Sequence, residues 1–190
     1  MPALLSHPGP ALGLLELESL ARGIVVADAA VKQANVQIVV AEAVSPGKYL
    51  LIFVGAEGEV LESFKAGLEA GAAMVLDSLH LTHVAEGVIA ALLHGELGKV
   101  SATDAVGIVE LHTVAATLKA ADVALKRADV RLTQFHLAKG IGGKGWFTLA
   151  GVQHDVEAAL EGAAAAVQSS LLVATELIQR PHAELRGKVI

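Results

Sequence analysis

The chain has no cysteine in 190 residues. That excludes disulfides, thiolate catalysis, thiolate zinc sites and cysteine-ligated iron–sulfur clusters, and it fits a cytoplasmic address. Aromatic residues are scarce as well, 3% against 54% hydrophobic, so the apolar content is mostly Ala, Leu and Val, which suit close helix packing. Positive charge is in deficit: 14 Lys and Arg face 20 Asp and Glu, for a net charge of −6. No basic run marks a phosphate-binding face, so no nucleic-acid partner is expected. Long apolar runs are missing too. The longest, around Tyr49–Val54, is strand-sized, far short of the roughly 20 residues that cross a bilayer, and no membrane partner is expected. The opening MPALLSHPGPALG has no basic n-region and is broken by prolines, so residues 1–10 read as a flexible arm and not as a signal peptide.

What the chain does have is repetition. ALGLLELESLARGIVVADAAVKQANV (11–36) returns without a gap as AVGIVELHTVAATLKAADVALKRADV (105–130). Gly13 recurs as Gly107, Glu16 as Glu110, Asp28 as Asp122 and Lys32 as Lys126, a constant offset of 94. Gly55 and Gly151 lie 96 apart, so the second copy carries two extra residues between its hairpin strands. The repeat implies two small domains, 11–94 and 104–190, joined by a polar linker at 95–103. Two small cores cannot hide this much apolar surface, so an oligomer is expected.

Each copy reads as β-α-β-β-α-β, a ferredoxin-like α+β arrangement with helices on one face of a mostly antiparallel sheet. In the first copy Ala11–Leu17 has strand length and Ser19 is placed to cap a helix with an apolar stripe at Leu20, Ile24, Ala27, Val31 and Ala34. The β-branched run Val36–Val44, the Pro-Gly turn at 45–48 and Tyr49–Val54 make a hairpin. A second helix shows Val60, Phe64, Leu68 and Ala72 on one face, and Met74–Leu81 closes the sheet. The second copy repeats the scheme with Thr113 as cap, strands at Val130–Ala138 and Trp146–Ala150, a helix at Gln153–Val167 and a closing strand at Ser170–Ile178. An extra short helix falls at Val84–Leu93.

The opening A-[LV]-G-[LI]-[LV]-E, the helix signatures ADAAVKQANV and ADVALKRADV, the hairpins VSPGKYLLIFVG and KGIGGKGWFTLAG and the tail IQRPHAEL together resemble the bacterial microcompartment shell domain. Two copies in one chain resemble its tandem-domain, trimer-forming class. The resemblance implies a non-enzymatic structural tile of the microcompartment shell: a homotrimer forming a pseudohexamer, packed laterally against hexameric tiles and pentameric vertices, in contact with encapsulated enzymes, and pierced by a central pore for small polar or anionic metabolites. By position, it implies that Lys32, Lys126 and Arg180 lie at the tile edge, with His83 where the first copy would carry the arginine. Pro46 and Gly142 fall at the pore, whose rim would be Ser45, Pro46, Gly47 and Lys48 alternating with Gly140, Ile141, Gly142, Gly143 and Lys144. The short first loop suggests a narrow pore in a single-layer trimer.

Other readings of the same residues compete. Gly140, Gly142 and Gly145 satisfy G-x-G-x-x-G, but a strand follows where a dinucleotide site needs a helix, so the glycines read as a hairpin loop. Lys48 and Lys144 are either solvent-facing hairpin lysines or a ring of positive charge favouring anions, which Lys144→Glu would test by anion passage. Lys126→Asp is expected to weaken sheet assembly without unfolding the trimer. The spacing His80-x2-His83 invites a metal, but no carboxylate cluster completes a site, so no metal is expected. Glu16 and Glu110, embedded in apolar strands, read as structurally equivalent. No nucleophile–base–orienter set is present, so no catalytic residue or cofactor is expected. The alternative function is a ferredoxin-like small-molecule-binding or signalling protein.

Overall fold

Alternation of side chains across a strand and small residues on the facing helices generate the same layered unit twice. In the computed structural model, which describes residues 11–190, the first unit runs β1 (Ala11–Leu17), α1 (Leu20–Gln33), β2 (Gln37–Val44), β3 (Lys48–Gly55), α2 (Glu57–Gly71) and β4 (Val75–Leu81). The arm expected at 1–10 lies outside the described residues. Its sheet has the order β2-β3-β1-β4, antiparallel throughout. After α3 (Glu86–His94) the pattern repeats as β5 (Ala105–Leu111), α4 (Val114–Arg127), β6 (Val130–Leu137), β7 (Gly145–Gly151), α5 (Gln153–Ala165) and β8 (Leu172–Ile178), with the sheet order β6-β7-β5-β8. Each unit is thus the expected ferredoxin-like α+β fold. A 3-10 turn precedes each closing strand, at Ala72–Met74 and Ser169–Leu171, so both strands start later than expected.

Ser19 and Thr113 cap the first helix of each unit as expected. Their hydroxyls accept from Arg22 N–H at 3.2 Å and Ala116 N–H at 3.1 Å, which satisfies a donor that the helix start leaves unpaired. The first core is built from Leu15 and Leu17 on β1, Val26, Ala27 and Ala30 on α1, Tyr49, Leu51 and Phe53 on β3 and Val60 on α2. A buried Ser63 hydroxyl donates to the Ala30 carbonyl at 2.8 Å and ties α2 to α1.

The stripe expected on α1 is corrected. Gly23, Val26, Ala27 and Ala30 face inward, whereas Leu20, Ile24 and Val31 are exposed. The cause is close approach: a Cβ on Gly23 would collide with the Tyr49 ring, so the helix presents its small residues to the sheet. On α4 the corresponding position is Thr117 and the strand position facing it is Gly145, where a Cβ would collide with Thr117. The bulk has moved from strand to helix, so each unit fills the same space by the opposite choice.

The chain divides into two compact units, one ending at Val84 and the other spanning Ala85–Ile190. α3, assigned above to the first copy, belongs with the second. The Ala85 N–H donates to Asp122 Oδ1 at 2.7 Å, and Gly87 lies so near Leu125 that a Cβ there would come within 3.0 Å of its Cδ1. The linker is not a free tether either. Gly98 N–H donates to the Leu132 carbonyl at 2.8 Å and Arg131 Nε to the Lys99 carbonyl at 3.0 Å, pinning the segment along edge strand β6.

Candidate functional site

The two hairpin loops differ in the way the extra residues allow. Between β2 and β3 only three residues intervene, Ser45, Pro46 and Gly47, all exposed, and the turn closes through Gly47 N–H to the Val44 carbonyl at 2.9 Å. Between β6 and β7 seven residues intervene, 138–144. Of the four residues by which this loop exceeds the first, two are the insertion. The other two arise because Ala138, at φ 60°, and Lys144 leave the ladder while keeping one bond, Ala138 N–H to the Lys144 carbonyl at 2.8 Å. Gly140, Gly142 and Gly143 all have positive φ, between 65° and 82°, and this path is open to them because they lack a Cβ. Gly140 and Gly142 are exposed, Ile141 half-buried and Gly143 buried.

At the base of each loop a lysine meets a glutamate from the first strand of its own unit. Lys48 Nζ donates to Glu16 Oε2 at 3.2 Å, and Lys144 Nζ to Glu110 Oε1 at 3.0 Å. Strand register explains the pairing: Glu16 lies opposite Leu50, and Glu110 opposite Trp146, each two residues beyond its lysine on the same sheet face. The lysines are therefore charge-compensated and do not supply an uncompensated positive ring. The glutamates and lysines were visible in the repeat, but as two unrelated observations; hairpin register was the signal that could have joined them. Burial separates the two pairs, since the Glu16 side chain is 1% exposed and that of Glu110 37%. Beside Glu110, Trp146 stacks on its cross-strand neighbour His136 with ring centroids 4.5 Å apart, a contact that sequence reading missed.

The four residues expected at the edge are all exposed, but they are not equivalent. Lys32 Nζ donates to Asp28 at 2.6 Å and Lys126 Nζ to Asp122 at 2.7 Å. The Asp28 side chain is 57% exposed and that of Asp122 only 4%, because Asp122 also receives the N–H of Ala85 ahead of α3. Lys126→Asp would thus set a second carboxylate beside a buried one, so it is not a clean edge variant. His83 and Arg180 lie near the ends of the two closing strands, beyond Leu81 and Ile178. His80 instead stacks on Phe64, with ring centroids 5.5 Å apart, and its buried Nε2 has no hydrogen-bond partner among the described residues.

A further asymmetry involves apolar surface. Leu20 and Ile24 on α1 are 44% and 62% exposed, whereas their counterparts Val114 and Leu118 on α4 are 0% exposed. On the sheet face away from the helices the inequality is reversed. Leu14, Glu16 and Leu50 are buried, and their counterparts Ile108, Glu110 and Trp146 are half-open. Each unit leaves open the surface that is covered in the other.

The BMC domain family matches this chain twice, over residues 11–84 and 105–181. The intervening α3 and linker fall outside both matches. The chain is 40% identical over 181 residues to the bacterial microcompartment shell protein PduT of Citrobacter freundii, covering 95% of this chain and 97% of that protein. A microcompartment protein from Desulfitobacterium hafniense DCB superposes with a TM-score of 0.84 at 36% identity, covering 92% of this chain and 97% of the other. The fused permuted hexameric shell protein MSM0275 from the RMM microcompartment gives a TM-score of 0.61 at 25% identity, with 82% of each chain covered.

Proposed function

The chain belongs to the BMC domain family as a tandem-domain microcompartment shell protein, and from that premise we propose that it is a structural, non-enzymatic tile: a homotrimer that closes head to tail into a pseudohexamer, packs edge to edge with other shell proteins and surrounds a central pore. The observation that carries this reading is the reciprocal exposure of the two units. An open apolar helix face on the first unit and an open sheet face on the second are different surfaces of one chain, the requirement for a heterologous interface that closes as a ring. Three chains with two domains each give six positions, the number the family resemblance implies.

In this reading the loops at Ser45–Gly47 and Gly140–Gly143 alternate around the pore. The lysines behind them are already paired with glutamates, so the rim offers exposed glycine backbone with compensated charge and suits small polar metabolites, with weak preference for anions. Lys32, Lys126, His83 and Arg180 form the lateral edge, where α3 and the linker make alternate sides unlike. Light scattering tests the trimer: the mass should be three times the 19.4 kDa chain. Electron microscopy tests the edge. Sheets or tubes should form at high protein concentration, and Lys32→Asp should abolish them while leaving the trimer mass unchanged, because Lys32 is exposed and its partner Asp28 is exposed too. A monomer in solution, or normal sheets from Lys32→Asp, contradicts the proposal.

A further inference from the structure

We propose that the segment after β8 of one chain docks on α1 of the next, over Asp28 and Val31, where its His182 main-chain N–H bonds the Asp28 carboxylate. The inference rests on the head-to-tail trimer proposed above and names a contact that closes it. Internal duplication carries the argument, because the second unit shows the same helix face with its occupant in place. The chain leaving β4 enters the second unit at Ala85. There the Ala85 N–H donates to Asp122 Oδ1 at 2.7 Å, and Gly87 lies against Leu125. Asp122 and Leu125 correspond to Asp28 and Val31 at the 94-residue offset. The Asp122 side chain is buried and Leu125 half-buried, whereas Asp28 and Val31 are both exposed. Lys126 holds Oδ2 of Asp122, and Lys32 holds Oδ2 of Asp28 in the same way. The other oxygen, Oδ1, is filled by a main-chain donor in Asp122 and has no partner among the described residues in Asp28. Asp28 and Val31 also continue the open stripe of Leu20 and Ile24 along one face of α1.

Strand register identifies the donor. The closing strands pair with the first strands at equivalent positions, Leu12 opposite Leu81 and Val106 opposite Ile178. Counting on from them, Val84 corresponds to Pro181, Ala85 to His182 and Gly87 to Glu184. Val84 and Pro181 are both buried, so the two segments are anchored at the same step. Beyond Pro181, His182, Ala183 and Glu184 are exposed, and the His182 N–H has no partner among the described residues. The rest of the segment stays on its own unit, since the Val189 carbonyl accepts from Gln134 Nε2 at 2.7 Å. In a closed ring of alternating units, the unit that follows a second unit is the first unit of the next chain. The step from β4 to α4 made by the continuous chain thus recurs between chains, from β8 to α1. Bulk and charge agree with this. The helix residue is smaller, Val31 for Leu125, where the docking residue is larger, Glu184 for Gly87. The segment bears Arg180, Arg186 and Lys188 against one acidic side chain, Glu184, which Lys188 holds at 2.5 Å, and it meets a carboxylate.

Because the chain has no cysteine, a pair of introduced thiols reports the contact directly. In the full chain carrying Val31→Cys and Glu184→Cys, mild oxidation should join chains head to tail, and a non-reducing denaturing gel should show three linked chains. Moving the first thiol to exposed α2, as Glu62→Cys with Glu184→Cys, should give single chains only. The contact adds to the apolar faces that hold the trimer, so its loss weakens association without abolishing it. His182→Pro, which removes the N–H, and Asp28→Ala should each weaken trimer association roughly tenfold or more, with the circular dichroism of the folded chain unchanged. His182→Ala keeps the N–H and should stay within about twofold of the unaltered chain. Single-chain bands from a Val31→Cys/Glu184→Cys variant that sediments as a trimer overturn the contact and leave the trimer standing. An unaltered chain that sediments as a monomer overturns both. Equal association of His182→Pro and His182→Ala would show that no main-chain bond crosses the interface and would overturn the assignment of the donor.

Discussion

Two lysine–glutamate pairs identical in type and register occupy opposite environments. Glu16 is buried, and removing the charge of Lys48 takes a cationic partner from a carboxylate that water cannot reach, a loss of about 3–5 kcal/mol. Glu110 is open enough to be hydrated, so its pair with Lys144 contributes at most about 1 kcal/mol. In urea denaturation Lys48→Met should therefore lower the midpoint well beyond Lys144→Met, and equal shifts would contradict the assignment. Asp28 and Asp122 follow the same logic, one on open surface and the other beneath Ala85. The repeat made all these residues legible as equivalents. What it could not convey is that burial differs between equivalent positions, because burial depends on what covers a side chain and not on the local pattern that places it.

Among the elements, strands and helices were largely legible because alternation and capping are local. Ala11–Leu17 was read to the residue, and Ser19 and Thr113 cap as their positions suggested. The inward face of α1 is not legible in this way, because side-chain bulk does not mark it. Where helix and sheet approach closely, the smallest side chains go inside, as Gly23 against Tyr49 demonstrates. The exchange of bulk between Gly23/Tyr49 and Thr117/Gly145 gives a sharp test. Gly23→Thr alone should cost about 1–3 kcal/mol by overpacking, and adding Tyr49→Gly should restore part of that loss. A double-mutant cycle should give a coupling of at least about 1 kcal/mol, and additive effects would show that the two positions do not share one space. The pattern of α3 is legible but its attachment is not, since the Ala85–Asp122 bond that anchors it spans 37 residues and leaves no periodic trace.

For the whole molecule, duplication supplies the scaffold and departure from it supplies direction. Two identical domains would present identical surfaces. Here the first unit leaves Leu20 and Ile24 open, and the second leaves Ile108, Glu110 and Trp146 half-open. The linker and α3 pack on the second unit alone. The number of domains and their fold were legible from the 94-residue offset; the reciprocal surfaces were not, since Leu20 and Val114, like Ile24 and Leu118, are alike in type and differ only in what covers them. In the proposed trimer these open surfaces join one chain to the next. Sedimentation equilibrium of Ile24→Asp tests that arrangement, because Ile24 is 62% exposed and a carboxylate there is expected to leave the isolated fold intact. A folded monomer at the 19.4 kDa chain mass is the expected result, against three times that mass for the unaltered chain if the proposed trimer forms; a variant that keeps the mass of the unaltered oligomer would contradict the proposal.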